Sequence, residues 1–408
     1  MSRCIGGGSF PGGASGLQNR VGPPCGPRWV RLPRSSAMCR AVRTGLLTAL
    51  MGWLVVLAPA HAEAPSLNVV TVAAGLAHPW SLAFLPDGRM LVTERPGRMR
   101  IVTPRGEIGA PLAGLPPVDA RAQGGLLDVV LDPAFSVNRR VYWSYVEAGT
   151  QGANGTAVAR GRLDGGRIDD VQVLFRQVPK VAGVAHFGSR LVFGHDGRLF
   201  ITLGERLWQR DAAQALDNDL GKVVRIEADG RVPADNPFAK TPGARPEIWS
   251  FGHRNVQGAA LHPATGELWT DEHGPEGGDE INIDRAGRNY GWPVVTYGVD
   301  YGSGAKIGEG SSKAGIEQPL AYWVPSIAVS GMAFLTSNRY PGWKGSLFVG
   351  SLRAQSLVRI ELDGDKVLKQ ERLLTNQLGR IRDVRQGPDG WLYLLTDHAD
   401  GRIVRVER

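Results

Sequence analysis

Pro86-Asp87-Gly88-Arg89-Met90-Leu91-Val92-Thr93 joins a tight-turn signal to an apolar run, and the same phrase returns along the chain. It reads Asp196-Gly197-Arg198-Leu199-Phe200-Ile201-Thr202, then Gly266-Glu267-Leu268-Trp269-Thr270, then Pro388-Asp389-Gly390-Trp391-Leu392-Tyr393-Leu394-Leu395-Thr396. Two weaker copies are Asn138-Arg139-Arg140-Val141-Tyr142-Trp143-Ser144 and Gly345-Ser346-Leu347-Phe348-Val349-Gly350. Asp-Gly before an apolar run marks a hairpin, because glycine takes positive φ without steric cost. A second strand usually follows, as in Gly97–Val102 and Ser356–Leu362. The copies recur roughly every 60 residues, a period at the long end for propeller blades. One four-stranded blade cannot bury both faces, whereas radial packing does so and leaves only short edges. The pattern therefore predicts an all-β chain, a six-bladed β-propeller over residues 63–408. Leu67–Val72 is placed to pair beside Ile403–Val406 and close the ring. The rival is a pair of β-sandwiches, but no linker interrupts the six units. The Gly-rich insertions at 204–222 and 297–316 are expected to rise over one face and shape a site.

Composition agrees with a globular β chain. Of 408 residues, 55 are glycine and 27 proline, which suits short strands and turns; past residue 65 no convincing amphipathic helix of three turns appears. The net charge of +8 is unevenly placed: residues 1–62 hold seven arginines and no Asp, Glu or Lys, leaving +1 for the rest. A polyanion such as nucleic acid is therefore not an expected partner. Residues 1–37 read as a disordered leader or as an extension upstream of the true start. Residues 38–62 read as a signal peptide: Arg40 and Arg43, then the apolar run Thr44–Ala58, then Ala60-His61-Ala62 before Glu63. That run is shorter than the ~20 residues that span a bilayer, so a retained anchor is the lesser reading. Cys4, Cys25 and Cys39 all precede the cut, so the mature chain has no cysteine. A periplasmic protein without disulfides is expected.

Several chemistries are excluded. No Gly-x-Gly-x-x-Gly links a strand to a helix, no phosphate-cradling loop is present, and the histidines lack zinc spacing. What remains is a set of polar clusters on predicted loops and strand ends. Arg380-Ile381-Arg382 sends both guanidinium groups to one face of a strand, and Arg254 and Arg353 on other blades complete a receptor for a polyvalent anion. Taken singly, each is ordinarily a solvated charge. Gly274–Glu280 offers turn carbonyls followed by two acids, the oxygen mixture that Ca²⁺ takes, although a plain acidic turn reads the same way. His186 alone is an ordinary structural histidine, but Glu205 ends the next hairpin and can hold its second ring nitrogen.

The order Gln123-Gly124-Gly125-Leu126-Leu127, His186, Gly204-Glu205, Gly252-His253-Arg254-Asn255-Val256-Gln257-Gly258, Glu272-His273-Gly274-Pro275, Gly277-Gly278-Asp279-Glu280-Ile281-Asn282, Asn289-Tyr290-Gly291-Trp292-Pro293 and Arg380-Ile381-Arg382-Asp383-Val384 resembles the soluble PQQ-dependent sugar dehydrogenases. It is most similar to their periplasmic aldose sugar dehydrogenase branch, over about residues 67–408. The resemblance implies oxidation of an aldose at its anomeric carbon, with pyrroloquinoline quinone (PQQ) and Ca²⁺ as cofactors on a six-bladed propeller. It makes His186 the general base and Glu205 its orienting partner. It places Gln123, Arg254, Asn255, Tyr301, Arg353, Arg380 and Arg382 at the quinone. Gly274 and Pro275 become carbonyl donors to the catalytic calcium, and Glu280 and Tyr290 ligands of a nearby structural one. Glu205 is expected to favour imidazolium and so raise the pH at which His186 becomes a base. Ala185 stands where the glucose dehydrogenase branch has an acid, position 205 is Glu rather than Asp, and 353 is Arg rather than Lys. The insertion that accompanies dimerisation in that branch is missing, so a monomer is expected. The implied partners are an aldose and an electron acceptor of unidentified chemistry, with no stable membrane insertion. A calcium-dependent lactonase and a non-enzymatic sugar- or protein-binding propeller remain as alternatives, since a fold does not fix a function.

Overall fold

The computed structural model describes residues 67–408. The expected leader and expected signal peptide, with the three cysteines, lie outside the described residues. All six copies of the phrase are the second strand of a blade: Met90–Glu94, Arg140–Ala148, Leu199–Thr202, Leu268–Glu272, Leu347–Ser351 and Leu392–Thr396. Most of these strands are buried along their whole length, because each sheet packs against a neighbour on both faces. That explains why the phrase is continuously apolar rather than alternating. The Asp-Gly turns repeat in detail. Gly88, Gly197 and Gly390 have φ of 84°, 79° and 84°, and donate to the carbonyls of Leu85, Gly194 and Gly387.

Five blades have four or more strands, and the one spanning Pro79–Val102 has three. The ring closes as expected: Val69, Val70 and Thr71 pair with Val406, Arg405 and Val404. Apolar clusters fill each of the six gaps between blades, for example Leu91, Met99, Val129 and Trp143 in one and Trp269, Ile281, Val349 and Ile360 in another. Among the described residues, helix is confined to one four-residue turn at Phe135–Asn138 and two short 3₁₀ turns. No helix among the described residues is long and apolar enough to cross a membrane.

The innermost strands line an axial channel. Trp80, Leu127, Gly188, Gln257, Ala328 and Arg382, at or just before the starts of those strands, wall a cavity of about 360 Å³. Phe84, Leu131, Phe193, Leu261, Phe334 and Gln386, at their far ends, wall an apolar cavity of about 530 Å³. A charged plug lies between them. Arg190 meets Asp383 at 2.9 Å, and Arg385 bridges Asp383 and Asp128 at 2.9 Å each. The two insertions meet on the side of the smaller cavity, where Ala213, Trp292 and Ile307 pack together.

Candidate active site

His186 sits in the loop that precedes the inner strand Leu191–Phe193, and Glu205 just beyond the paired strand Leu199–Thr202. Antiparallel pairing brings both to one end of the hairpin. His186 Nδ1 lies 2.9 Å from Glu205 Oε1 and both side chains are buried. Gly204 has to be glycine, since a Cβ there would lie 2.3 Å from the His186 carbonyl oxygen. The His186 N–H donates to Gln123 Oε1 at 2.9 Å, and the Gly188 N–H donates to Asn255 Oδ1 at 3.2 Å. Gln123 and Asn255, both expected at the quinone, thus also fix the loop that carries the histidine.

Burial pushes Glu205 up to about 7, against the pull of Arg254, a backbone N–H and Arg206. Burial, then Arg254 and Arg206, push His186 well below the usual imidazole value. The expectation that Glu205 favours imidazolium is therefore corrected: the pair sits in a dry pocket whose neighbouring charges are positive, and both effects oppose a cation on the ring. Around neutrality the pair holds a neutral imidazole and an acid near its midpoint.

The Arg380 and Arg382 guanidinium groups do share a face and line the 360 Å³ cavity. Arg382 donates to Asp397 at 2.7 Å and to Gln257 at 3.0 Å, while its Nε is buried without a partner. Arg353 is not part of that wall. It is exposed, and its neighbour Leu352 takes the place in the lining. Arg95 stands in the cavity instead, its Nε also buried and unpartnered. Sequence reasoning missed it, together with His78, Trp80 and Asp397. The single available signal was the position of Arg95 and Asp397 one residue beyond two copies of the repeated strand. Gln257 and His273, which lie inside the Gly252–Gly258 and Glu272–Pro275 motifs, also line the cavity. Three arginines face one another with Asp397 as their acid, and that surplus of positive charge in a cavity fits a polyvalent anion.

Next to this cavity lies a smaller one of about 10 Å³, room for a single water-sized particle, lined by Arg254, Glu272, Gly274, Glu280, Tyr290 and Thr296. Burial and the charge of Glu272 push the Glu280 carboxyl well above its usual range, and no cationic side chain pairs with it among the described residues. The Tyr290 hydroxyl donates to the Ile283 carbonyl at 2.6 Å and accepts from the Arg285 N–H at 2.7 Å. A ligand role for Tyr290 therefore falls to its backbone carbonyl. Asp279, read from sequence as one of two acidic donors, is consumed by the fold. It accepts from the N–H groups of Gly274, Ile327 and Ala328 and from Ser326. The Gly274 carbonyl is engaged by Arg254 Nη1, so a cationic group already seeks that oxygen. Arg254 also lies 5.8 Å from the ring of Tyr301, which brings that half-exposed tyrosine over the site. The carbonyls and the unpaired acid fit a hard cation.

The comparisons place this propeller, with its buried His–Glu pair and arginine-lined axial cavity, among the sugar dehydrogenases. Residues 76–405 match the Glucose / Sorbosone dehydrogenase family. The chain is 50% identical to aldose sugar dehydrogenase YliI of Escherichia coli over 86% of this chain and 96% of that protein. Among solved structures, the soluble aldose sugar dehydrogenase of Escherichia coli in its apo form superposes with a TM-score of 0.82 at 49% identity, covering 84% of this chain and 99% of that one. The PQQ-bound aldose sugar dehydrogenase of Streptomyces coelicolor superposes at 0.71 with 31% identity, covering 84% and 98%. The chain belongs to the glucose/sorbosone dehydrogenase family.

Proposed function

We propose that this protein is a periplasmic quinoprotein that oxidises aldoses at the anomeric carbon to lactones, using PQQ and Ca²⁺ and passing electrons to a separate acceptor. The observation that carries the reading is the His186–Glu205 pair beside a cavity with an arginine surplus. Arg95, Arg380 and Arg382 would hold the quinone carboxylates. Gly274 and Pro275 would offer carbonyls to one calcium, and Glu280 with the Tyr290 carbonyl would hold another. PQQ, polarised by calcium, supplies a two-electron acceptor for hydride.

The chain's own residues supply proton transfer and orientation. With Glu205 ionised, its carboxylate accepts a hydrogen bond from His186 Nδ1–H, and Nε2 presents a lone pair. That nitrogen takes the proton of the anomeric hydroxyl as the C–H bond gives up hydride. The hydrogen bonds from Gln123 and Asn255 to the loop keep the imidazole oriented. Burial excludes water, which would otherwise compete for the base.

The lactonase reading is weaker. Among the described residues no group of three or more His, Cys, Asp or Glu side chains is arranged to hold a metal, and an arginine-lined cavity has no use in that chemistry. The test is reconstitution of purified protein with PQQ and Ca²⁺, followed by the cofactor spectrum and dye reduction across an aldose panel. A shifted spectrum and sugar-dependent bleaching of the dye are expected. Neither change on adding both cofactors would overturn the reading.

A further inference from the structure

Three non-glycine residues in left-handed backbone crowd the catalytic pair: His186 at φ 54°, Arg206 at 65° and Leu207 at 71°. Such conformations persist only where the surroundings over-determine them, and they concentrate at functional sites. Here the surroundings converge on one side chain. Arg206 is fully buried, and no carboxylate pairs with it among the described residues. Its Nε donates to the Ala185 carbonyl at 3.0 Å and its Nη2 to the Gly183 carbonyl at 3.0 Å. The same guanidinium donates to the carbonyl of Asn154 at 2.9 Å and to Asn154 Oδ1 at 2.6 Å, and lies 4.0 Å over the ring of Phe187. Asn154 is tied down in turn by Asp119 at 2.7 Å.

Ala185 and Phe187 are the two neighbours of His186 in the chain. One guanidinium therefore grips the backbone before the imidazole and the ring after it. Being the residue after Glu205, it also joins the two halves of the pair directly. A hydrophobic side chain would fill this space without the desolvation cost of a buried charge, so packing alone does not account for an arginine.

We infer that Arg206 is a positioning residue for sugar oxidation: it locks the Gly183–Phe187 segment so that His186 Nδ1 meets Glu205. The inference rests on the reading of His186 as the base. Its charge acts on the same pair. The charged and titratable groups facing His186 and Glu205 are Arg254, Arg206, Arg210 and His273. Loss of Arg206 removes one of the positive charges that hold both members down, so both are expected to rise.

The test compares Arg206→Met and Arg206→Lys with wild-type holoenzyme. A misplacement of about 1 Å costs on the order of 10²-fold in rate, so kcat of Arg206→Met is expected to fall by roughly 10–100-fold while PQQ affinity stays within about twofold. The pH at which kcat/KM rises is expected to move upward in Arg206→Met. In Arg206→Lys it stays near wild type, because the charge is kept, while kcat stays low, because the fork is lost. Nitrogen NMR of the quinone-free protein gives a readout independent of turnover: the hydrogen-bonded His186 Nδ1–H signal is expected to weaken in both variants. If Arg206→Met does not fold, Arg206→Lys and Asn154→Ala, which removes one arm of the clamp, carry the test through the same NMR signal and kcat. Wild-type kcat with an unmoved pH limb and an intact Nδ1–H signal overturns the inference, as does lowered thermal stability with all three unchanged. Should His186→Ala oxidise sugar normally, the reading of the base itself falls, and the inference with it; an inactive His186→Ala beside a normal Arg206→Met isolates the fault to Arg206.

Discussion

His186→Ala separates proton transfer from cofactor binding. Arg95, Arg380 and Arg382, which line the 360 Å³ cavity, make no hydrogen bond to the imidazole, and the His186 N–H that Gln123 accepts survives in alanine. PQQ affinity is therefore expected to stay within a factor of about two, since no charge-assisted bond is lost. Glu205 loses its partner in a dry pocket, but its acid is already pushed up to about 7 and adapts by staying protonated. The stability cost should then be at the low end of the ~1–3 kcal/mol for an orphaned buried group. The catalytic cost is larger: a positioned general base contributes about 10²–10⁴-fold, which is roughly 3–5 kcal/mol of barrier. The assay pairs fluorescence titration of PQQ into the quinone-free protein with stopped-flow dye reduction at saturating aldose. Undiminished sugar oxidation in a variant that binds PQQ normally would refute the mechanism whatever the fold; equal loss of binding and turnover would show that the histidine belongs to the cofactor cage.

The pH profile follows from the same pair. Above about 7 Glu205 is ionised and leaves Nε2 free, and below it the protonated acid donates to Nδ1 and puts the proton on Nε2. Activity is thus expected to rise with pH through about 7, and Glu205→Gln to move the rise to lower pH with lower turnover, because His186 itself lies well below 6.5; an unmoved limb counts against the pairing. Arg382→Ala should weaken PQQ binding by about 1.5–3 kcal/mol, or roughly 10–150-fold, toward the upper end because Asp397 is left facing the quinone carboxylates; wild-type affinity by titration would make Arg382 a structural charge only. Calcium chelation during reconstitution is expected to abolish dye reduction and lower the melting temperature, and unchanged values would remove calcium from the site. Intact-mass analysis of exported protein is expected to start at Glu63, and another start would relocate the cleavage site.

Architecture was legible because it is encoded locally. Each turn and the apolar run after it report a strand buried on both faces, and six such reports, three of them through Asp-Gly, fix the number of blades. Val69–Thr71 and Val404–Val406 carry complementary patterns, so even the ring closure was readable. The His186–Glu205 pairing was legible for a related reason, since both residues flank one hairpin and antiparallel geometry leaves little freedom. What the chain order could not specify was direction and depth. Arg353 and Arg95 each sit at the end of a predicted strand, yet packing exposes one and turns the other into the cavity. Tyr290 and Asp279 lie in the expected segment, but the hydroxyl is already spent on the Ile283 carbonyl and the Arg285 N–H, and the carboxylate on the distant Ser326–Ala328 loop. The sign of the pKa shift on His186 depends on burial and on Arg254 and Arg206 converging in space. Periodicity and turn chemistry are short-range and survive in a one-dimensional string; desolvation and the summed field of distant charges exist only once the blades have closed around the axis.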